Sequence, residues 1–202
     1  MKANFVGYEV LGAKLKNIPK YGMDNDEADA LASKLMSDFT DMFSNYRTRF
    51  GGHGKSVVLT FVFSPQAAKM LGATPDGRVA NQNVAHGVTP HSSSMKCGIT
   101  AAINSCGKLR FDKFSGGAST MWDFDASIAT EEIVTAILKS FMEKGCQIFQ
   151  GNTTPVEELL EAKEHPENYE HLVVRVGGYS ARFTHLEPQL QDEIIARLRH
   201  SK

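Results

Sequence analysis

The chain has 202 residues, 42% of them hydrophobic and 22% charged, with a formal net charge of −1. That length supports one or two domains with a sizeable core, and the near-neutral charge excludes a broad pull toward nucleic acid or an anionic membrane. No run approaches the roughly 18 apolar residues of a spanning helix, and Met1-Lys2-Ala3-Asn4-Phe5 lacks the regions of a signal peptide. Cys97, Cys106 and Cys146 are odd in number, widely spaced and without a C-x-x-C pair, which argues against a disulfide framework or a structural zinc site. These features predict a cytoplasmic protein with no bound metal. His86 and His91, in a turn-rich segment without acidic or cysteine company, read as polar loop histidines.

In chain order, Asp24-Asn25-Asp26-Glu27 opens a helix whose apolar face is Ala28, Leu31, Leu35, Phe39 and Met42. Gly51-Gly52 breaks that pattern. Ser56 to Phe63 is short, β-branched and almost wholly apolar, which predicts a buried strand. Gly72 to Arg78 holds a Pro-Asp-Gly turn, and the segment to residue 95 has little period. Ile99 to Ser105 fits a strand or a short helix. From Ser119 to Asp125, Thr120, Trp122 and Phe124 alternate with Met121, Asp123 and Asp125, the period of a strand.

Thr130 caps the next helix, with Ile133, Val134, Ile137, Phe141 and Met142 as its buried stripe and Gly145 as its end. Cys146 to Asn152 reads as a strand. Thr154-Pro155-Val156-Glu157 reads as a capping box with proline at the first helical position, and Pro166 stops the helix it starts. His171 to Val176 is a strand that runs into Gly177-Gly178. A last helix begins near Pro188, with Leu190, Ile194 and Leu198 on one face and Arg197, Arg199 and His200 at its C-terminal end. Strand and helix alternate from about residue 99 onward, an α/β pattern with parallel strands and helical crossovers.

An isolated Gly-Gly after a strand usually marks a tight turn or bulge. Here it sits in Arg175-Val176-Gly177-Gly178-Tyr179-Ser180-Ala181-Arg182-Phe183, which resembles the radical signature near the C-terminus of the glycyl radical enzymes of the pyruvate formate-lyase type. Thr74-Pro75-Asp76-Gly77-Arg78, Glu164-His165-Pro166-Glu167-Asn168-Tyr169, and Ala3-Asn4-Phe5 with Pro19-Lys20-Tyr21-Gly22 resemble further segments of that family, in the same order.

The resemblance implies a fold: the C-terminal part of a ten-stranded α/β barrel, ending in a glycyl radical loop and a helix. Residues 1–70 would close the barrel region and 71–202 would form the glycyl radical domain. It implies a catalytic residue, Gly178, with Arg175, Val176, Gly177, Tyr179, Ser180 and Ala181 as the radical-loop motif. Glycine suits the role because a radical on its α-carbon is delocalised onto the flanking amide nitrogen and carbonyl, which needs a planar centre that no side chain crowds. The radical is protein-derived. S-adenosylmethionine and an iron–sulfur cluster belong to a separate radical-SAM activating enzyme.

In the family, the stored radical passes to a cysteine on a loop far upstream. None of Cys97, Cys106 or Cys146 stands in a context like that loop, so the resemblance implies a larger partner chain that carries the catalytic cysteine, without which this chain is inactive. The alternative is a spare radical domain that restores an oxygen-damaged enzyme. An apolar strand at Ser56–Phe63 without neighbours would invite a partner in either case. The family's oxygen-sensitive, anaerobic reactions include formate acetyltransfer and lyase, dehydratase and decarboxylase chemistry. Trp122 and Asp123, or Asp125, are candidates to line a small-molecule substrate pocket; otherwise Trp122 is core and the aspartates lead into a turn.

Overall fold

The computed structural model describes residues 2–60 and 63–198. Seven α-helices and four short strands appear among them in the order α1 (Glu9–Asn17), α2 (Asp26–Ser44), α3 (Phe63–Met70), α4 (Gly98–Gly107), β1 (Ser119–Met121), α5 (Glu131–Glu143), β2 (Ile148–Gln150), α6 (Val156–Glu164), β3 (Val173–Arg175), β4 (Ser180–Arg182) and α7 (Pro188–Leu198). Arg199 and His200, expected at the end of the last helix, lie outside the described residues, as do Phe61 and Val62 of the expected strand at 56–63.

The first core gathers around a parallel pair. β1 and β2 run side by side, Ser119 against Ile148 and Met121 against Gln150, with α5 as the crossover between them. The pairing continues past the strands, because Trp122 N–H donates to Gln150 O at 2.7 Å and Phe124 N–H to Asn152 O at 2.8 Å. Residues Ser119 to Phe124 are all buried, so the alternation read from the sequence marks a strand covered on both faces. Ile103, Cys106, Phe111, Phe114, Trp122, Phe124 and Phe141 fill this core. Trp122 has no exposed surface, and its indole N–H donates to Thr120 Oγ1 at 2.7 Å.

A second core forms separately. β3 and β4 are an antiparallel hairpin, Arg175 against Ser180, that belongs to a different sheet from β1–β2. The expectation of parallel strands to the end of the chain is therefore corrected. Two strands joined by four residues have room only for a hairpin, because a parallel return needs a crossover of a dozen residues or more. Val174, Val176 and Phe183 of this region pack with Leu159 of α6 and Leu190, Ile194 and Leu198 of α7.

Several local expectations change. Among the described residues of the 56–63 segment there is no regular strand: Val58 makes one parallel bridge to Ala118, and Phe63 already opens α3. Ile99–Ser105 is helical, within α4. Thr130 does cap α5, its side chain accepting the Ile133 N–H at 3.3 Å. Of the stripe expected on α5 only Phe141 is buried, while Ile133 and Met142 are exposed. Thr154 does not cap α6; Pro155 is the N-cap, with no side-chain cap bond. Proline has no N–H, and its fixed φ sets the chain entering the helix. The Thr74–Arg78 turn forms as expected, with Gly77 at φ +93° and Thr74 N–H donating to Arg78 O at 2.9 Å.

The largest departure is on α2. Asn25 caps it, accepting the Ala28 N–H at 3.0 Å. Its predicted apolar face points outward, with Leu31, Leu35, Phe39 and Met42 between 56% and 70% exposed. The face turned inward carries Asp29, Met36 and Thr40. Polar contacts select it: Lys108 Nζ reaches Asp29 at 2.9 Å and Asp24 and Asp26 at 2.8 Å, Ser33 Oγ donates to Lys108 O, and Thr40 Oγ1 meets Ser56 Oγ at 3.1 Å. A buried carboxylate without its cation is far costlier than an exposed leucine. Between the outer and inner faces lies a groove of about 800 Å³ lined by Ile18, Leu31, Leu35, Met36 and Val58.

Candidate functional site

The β3–β4 hairpin closes through Val176 N–H donating to Tyr179 O at 2.9 Å, which leaves Gly177-Gly178 as a two-residue tip. Gly178 has φ +83°. A residue with a Cβ pays about 1–2 kcal/mol in this left-handed region. Gly177 is buried and Gly178 is exposed at the surface of this chain.

The hairpin is tied to the first core by side-chain amides instead of a backbone ladder. The main-chain carbonyls of Gln150 and Asn152 are taken by Trp122 and Phe124, so their side chains reach the other way. Asn152 offers Arg175 an imitation of a neighbouring peptide: its Oδ1 accepts Arg175 N–H at 2.5 Å and its Nδ2 donates to Arg175 O at 2.9 Å. Gln150 Oε1 accepts two donors, the Gly178 N–H at 2.6 Å and Arg175 Nε at 3.0 Å.

Charge completes this seam. Asp123 Oδ1 accepts both the backbone and side-chain N–H groups of Asn152, while its Oδ2 faces Arg197 Nε at 3.2 Å. Arg197 Nη1 also donates to Val176 O at 3.2 Å. Glu193, one turn before Arg197, pairs with His86 Nε2. His86 is therefore a buried partner of α7, not a solvated loop histidine. Burial pushes the Asp123 carboxyl above the usual carboxylate value, against the pull of Arg197 and Asn152.

The sequence motif thus divides by role. Val176 and Ala181 pack in the second core, Arg175 braces the Gln150 side chain, and Tyr179 and Ser180 are exposed beside Gly178. Of the two candidate lining residues, Trp122 lies inside the first core. Asp123 borders a cavity of about 300 Å³ shared with His86, Met121, Glu193 and Arg197. A small recess of about 20 Å³ directly under Gly177 and Gly178 is lined by Leu59, Thr60, His86, Met121 and Gln150, with no cysteine among them. Cys106 and Cys146 sit in the first core, and Cys97 is exposed. Sequence reading missed Gln150, Asn152, His86, Glu193 and Arg197 as a group. The one available signal was the pair of side-chain amides two residues apart at the end of a predicted strand. Among the described residues no cluster of His, Cys, Asp or Glu is arranged to hold a metal ion, and no helix is long and apolar enough to cross a membrane.

Comparison with known proteins places this geometry. Residues 84–184 match the glycine radical family, and residues 1–64 match the pyruvate formate lyase-like family. The chain is 37% identical over 210 residues to the probable dehydratase YbiW of Escherichia coli (strain K12), covering 96% of this chain and 25% of that protein. It is 32% identical over 202 residues to the trans-4-hydroxy-L-proline dehydratase of Clostridioides difficile, covering 98% of this chain and 26% of that one. The crystal structure of a glycyl radical enzyme from Archaeoglobus fulgidus superposes with a TM-score of 0.92 at 32% identity, over 96% of this chain and 26% of the other. The B12-independent glycerol dehydratase of Clostridium butyricum, in its glycerol-bound form, gives 0.92 at 33% identity, over 96% of this chain and 25% of that enzyme. The chain spans about a quarter of the length of the curated relatives it matches. It belongs to the glycyl radical enzyme family, with the fold of the C-terminal part of that family's α/β barrel.

Proposed function

We propose that this chain stores an organic radical on Gly178 and works as the radical-bearing portion of a cytoplasmic glycyl radical lyase. The observation that carries the reading is the placement of Gly178. It is the exposed tip of a two-residue hairpin, in a conformation suited to glycine, inside the segment that matches the glycine radical family. In this reading residues 1–70 complete the barrel region and 71–202 form the radical domain, in keeping with matches that fall on 1–64 and 84–184.

A radical-SAM activating enzyme, with its S-adenosylmethionine and iron–sulfur cluster, removes one hydrogen atom from the Gly178 α-carbon. Gly178 then holds the unpaired electron until it passes to a catalytic cysteine on a larger chain. Support for that larger chain is twofold. The relatives are about four times as long, and the chain exposes Leu31, Leu35, Phe39 and Met42 along α2, as well as Gly178 itself. An apolar face of this kind marks an interaction site. Because three of the four relatives reported above are named as dehydratases or a probable dehydratase, we assign elimination of a small polar leaving group in place of acyl transfer. Asp123, on the wall of the 300 Å³ cavity, is the polar residue placed to face such a substrate.

The test is electron paramagnetic resonance of the anaerobic chain after incubation with a glycyl radical activating enzyme and S-adenosylmethionine. A glycine-type doublet that is absent in Gly178→Ala supports the assignment. Air exposure should then cut the backbone at Gly178, as seen by mass under denaturing conditions. An equal signal in Gly178→Ala sinks it. Adding the larger chain separates the two partner readings: turnover restored to an intact but glycine-deficient chain marks a subunit, and turnover restored to an oxygen-cut enzyme marks a spare part.

A further inference from the structure

The geometry points to Gln150 as the positioning residue for Gly178: its side-chain oxygen holds the Gly178 N–H and so fixes the α-carbon of the hairpin tip against the end of β2. This rests on the reading of Gly178 as the radical residue and adds the group that sets its geometry.

Three observations carry it. Among the described residues the Gly178 N–H has no backbone acceptor, and its partner is Gln150 Oε1 at 2.6 Å. That oxygen is itself aimed from a rigid place. Gln150 is buried, ends β2, and gives its main-chain carbonyl to Trp122 N–H at 2.7 Å. Arg175 Nε, at 3.0 Å on the same oxygen, supplies a cationic donor that polarises it and keeps its carbonyl, not its amino end, toward the tip. The exposed face of Gly178 has no side chain to hold it, so this bond is what limits rotation of the peptide before the α-carbon.

The bond also has a chemical consequence. A radical at Gly178 draws on the lone pair of its own amide nitrogen. An acceptor on that N–H makes the nitrogen richer in electrons and holds the peptide coplanar with the radical centre. Gln150 therefore acts on the lifetime and electronic character of the radical through Gly178, without touching a substrate. Asn152, two residues on, binds the Arg175 peptide and leaves Gly178 alone, so the two amides have separable tasks.

The experiment uses the full chain, nitrogen-labelled, with Gln150→Leu, Gln150→Asn and Gln150→Glu. Gln150→Asn keeps an amide but withdraws its oxygen by about 1.5 Å, one carbon–carbon bond. Amide exchange at Trp122 and Ile194 reports that both cores are folded. In the wild type the Gly178 amide proton should lie downfield and exchange slowly. In the leucine and asparagine variants its exchange should rise about tenfold, the factor that one ordinary hydrogen bond supplies. Gln150→Glu, which keeps the acceptor, should restore it. After anaerobic activation, the coupling of the electron to the Gly178 N–H proton should change in the leucine and asparagine variants, and their signal should decay faster. Unchanged Gly178 exchange in Gln150→Asn, or a failure of Gln150→Glu to restore it, overturns the assignment. If Gly178 exchange follows Gln150 but the wild type gives no radical, the anchor stands and the radical reading of Gly178 fails.

Discussion

Asp123 and Arg197 face each other across the seam between the two cores, Oδ2 to Nε at 3.2 Å, with the carboxylate side chain wholly buried. Neither core shares its apolar residues with the other, so this pair, His86–Glu193 and the amides of Gln150 and Asn152 join the halves. Removing one partner leaves a buried charge uncompensated. Arg197→Met should cost about 3–5 kcal/mol in urea unfolding. Arg197→Met with Asp123→Leu should recover part of that loss, because the orphaned charge is gone.

The same carboxyl predicts a pH dependence. Burial raises the Asp123 value in the folded chain, so folding takes up a proton there. Its contribution is complete below the unfolded value of about 4 and declines as pH rises through the folded value. The stability penalty of Asp123→Asn should therefore be largest in acid and shrink toward neutral pH. Asp24 works in the opposite sense. Hydrogen bonds from Lys108 and Asn104 hold its value down, so its contribution is present above the unfolded value and is lost as pH falls. Urea midpoints from pH 4 to 8 on Asp123→Asn and Asp24→Asn should slope in opposite directions relative to the wild type.

The thiols should differ sharply in reactivity. Burial pushes Cys146 up to about 11 and Cys106 higher still, where it also contacts the Tyr21 hydroxyl at 3.0 Å. Thiolate is the reactive form. Iodoacetamide at pH 8 should label Cys97 alone in the native chain and all three cysteines in denaturant. Native labelling of Cys106 would mean that the first core opens far more often than its packing implies.

Substitutions on the outer face of α2 should separate folding from partnership. Leu35→Glu and Phe39→Lys remove no buried contact, so urea stability of the isolated chain should change by less than about 0.5 kcal/mol. Association with the larger chain proposed above should fall. Met36→Ala, on the inner side of the same helix, should destabilise the isolated chain by about 2 kcal/mol.

That contrast shows how far the sequence could be read. Apolar periodicity on α2 was visible at Leu31, Leu35, Phe39 and Met42, and those residues do share one face of the helix. What periodicity cannot carry is whether that face turns into this chain's core. Asp29, paired with a lysine 79 positions away, settles the inward face within this chain. The motif from Arg175 to Ala181 was legible because its spacing is local. The residues that hold it were not, since Gln150 and Asn152 come from another strand and Arg197 and His86 from far along the chain in both directions. Short segments misled for a simpler reason. The residues from Ser56 on look like a strand in composition, yet one bridge at Val58 and the helix from Phe63 take up their backbone.

The hairpin has one more consequence, for a chain whose backbone is broken at Gly178. The piece beyond the break begins with a strand still laddered to β3, then continues through Phe183, Leu190, Ile194, Ile195 and Leu198, each buried among partners from the other piece. Connectivity would be lost and shape kept. The damaged molecule should elute, scatter light and absorb circularly polarised light much as the intact one does. It would come apart only when the second core is melted, so a break at Gly178 would be silent to every method that reads form and visible to one that counts covalent bonds.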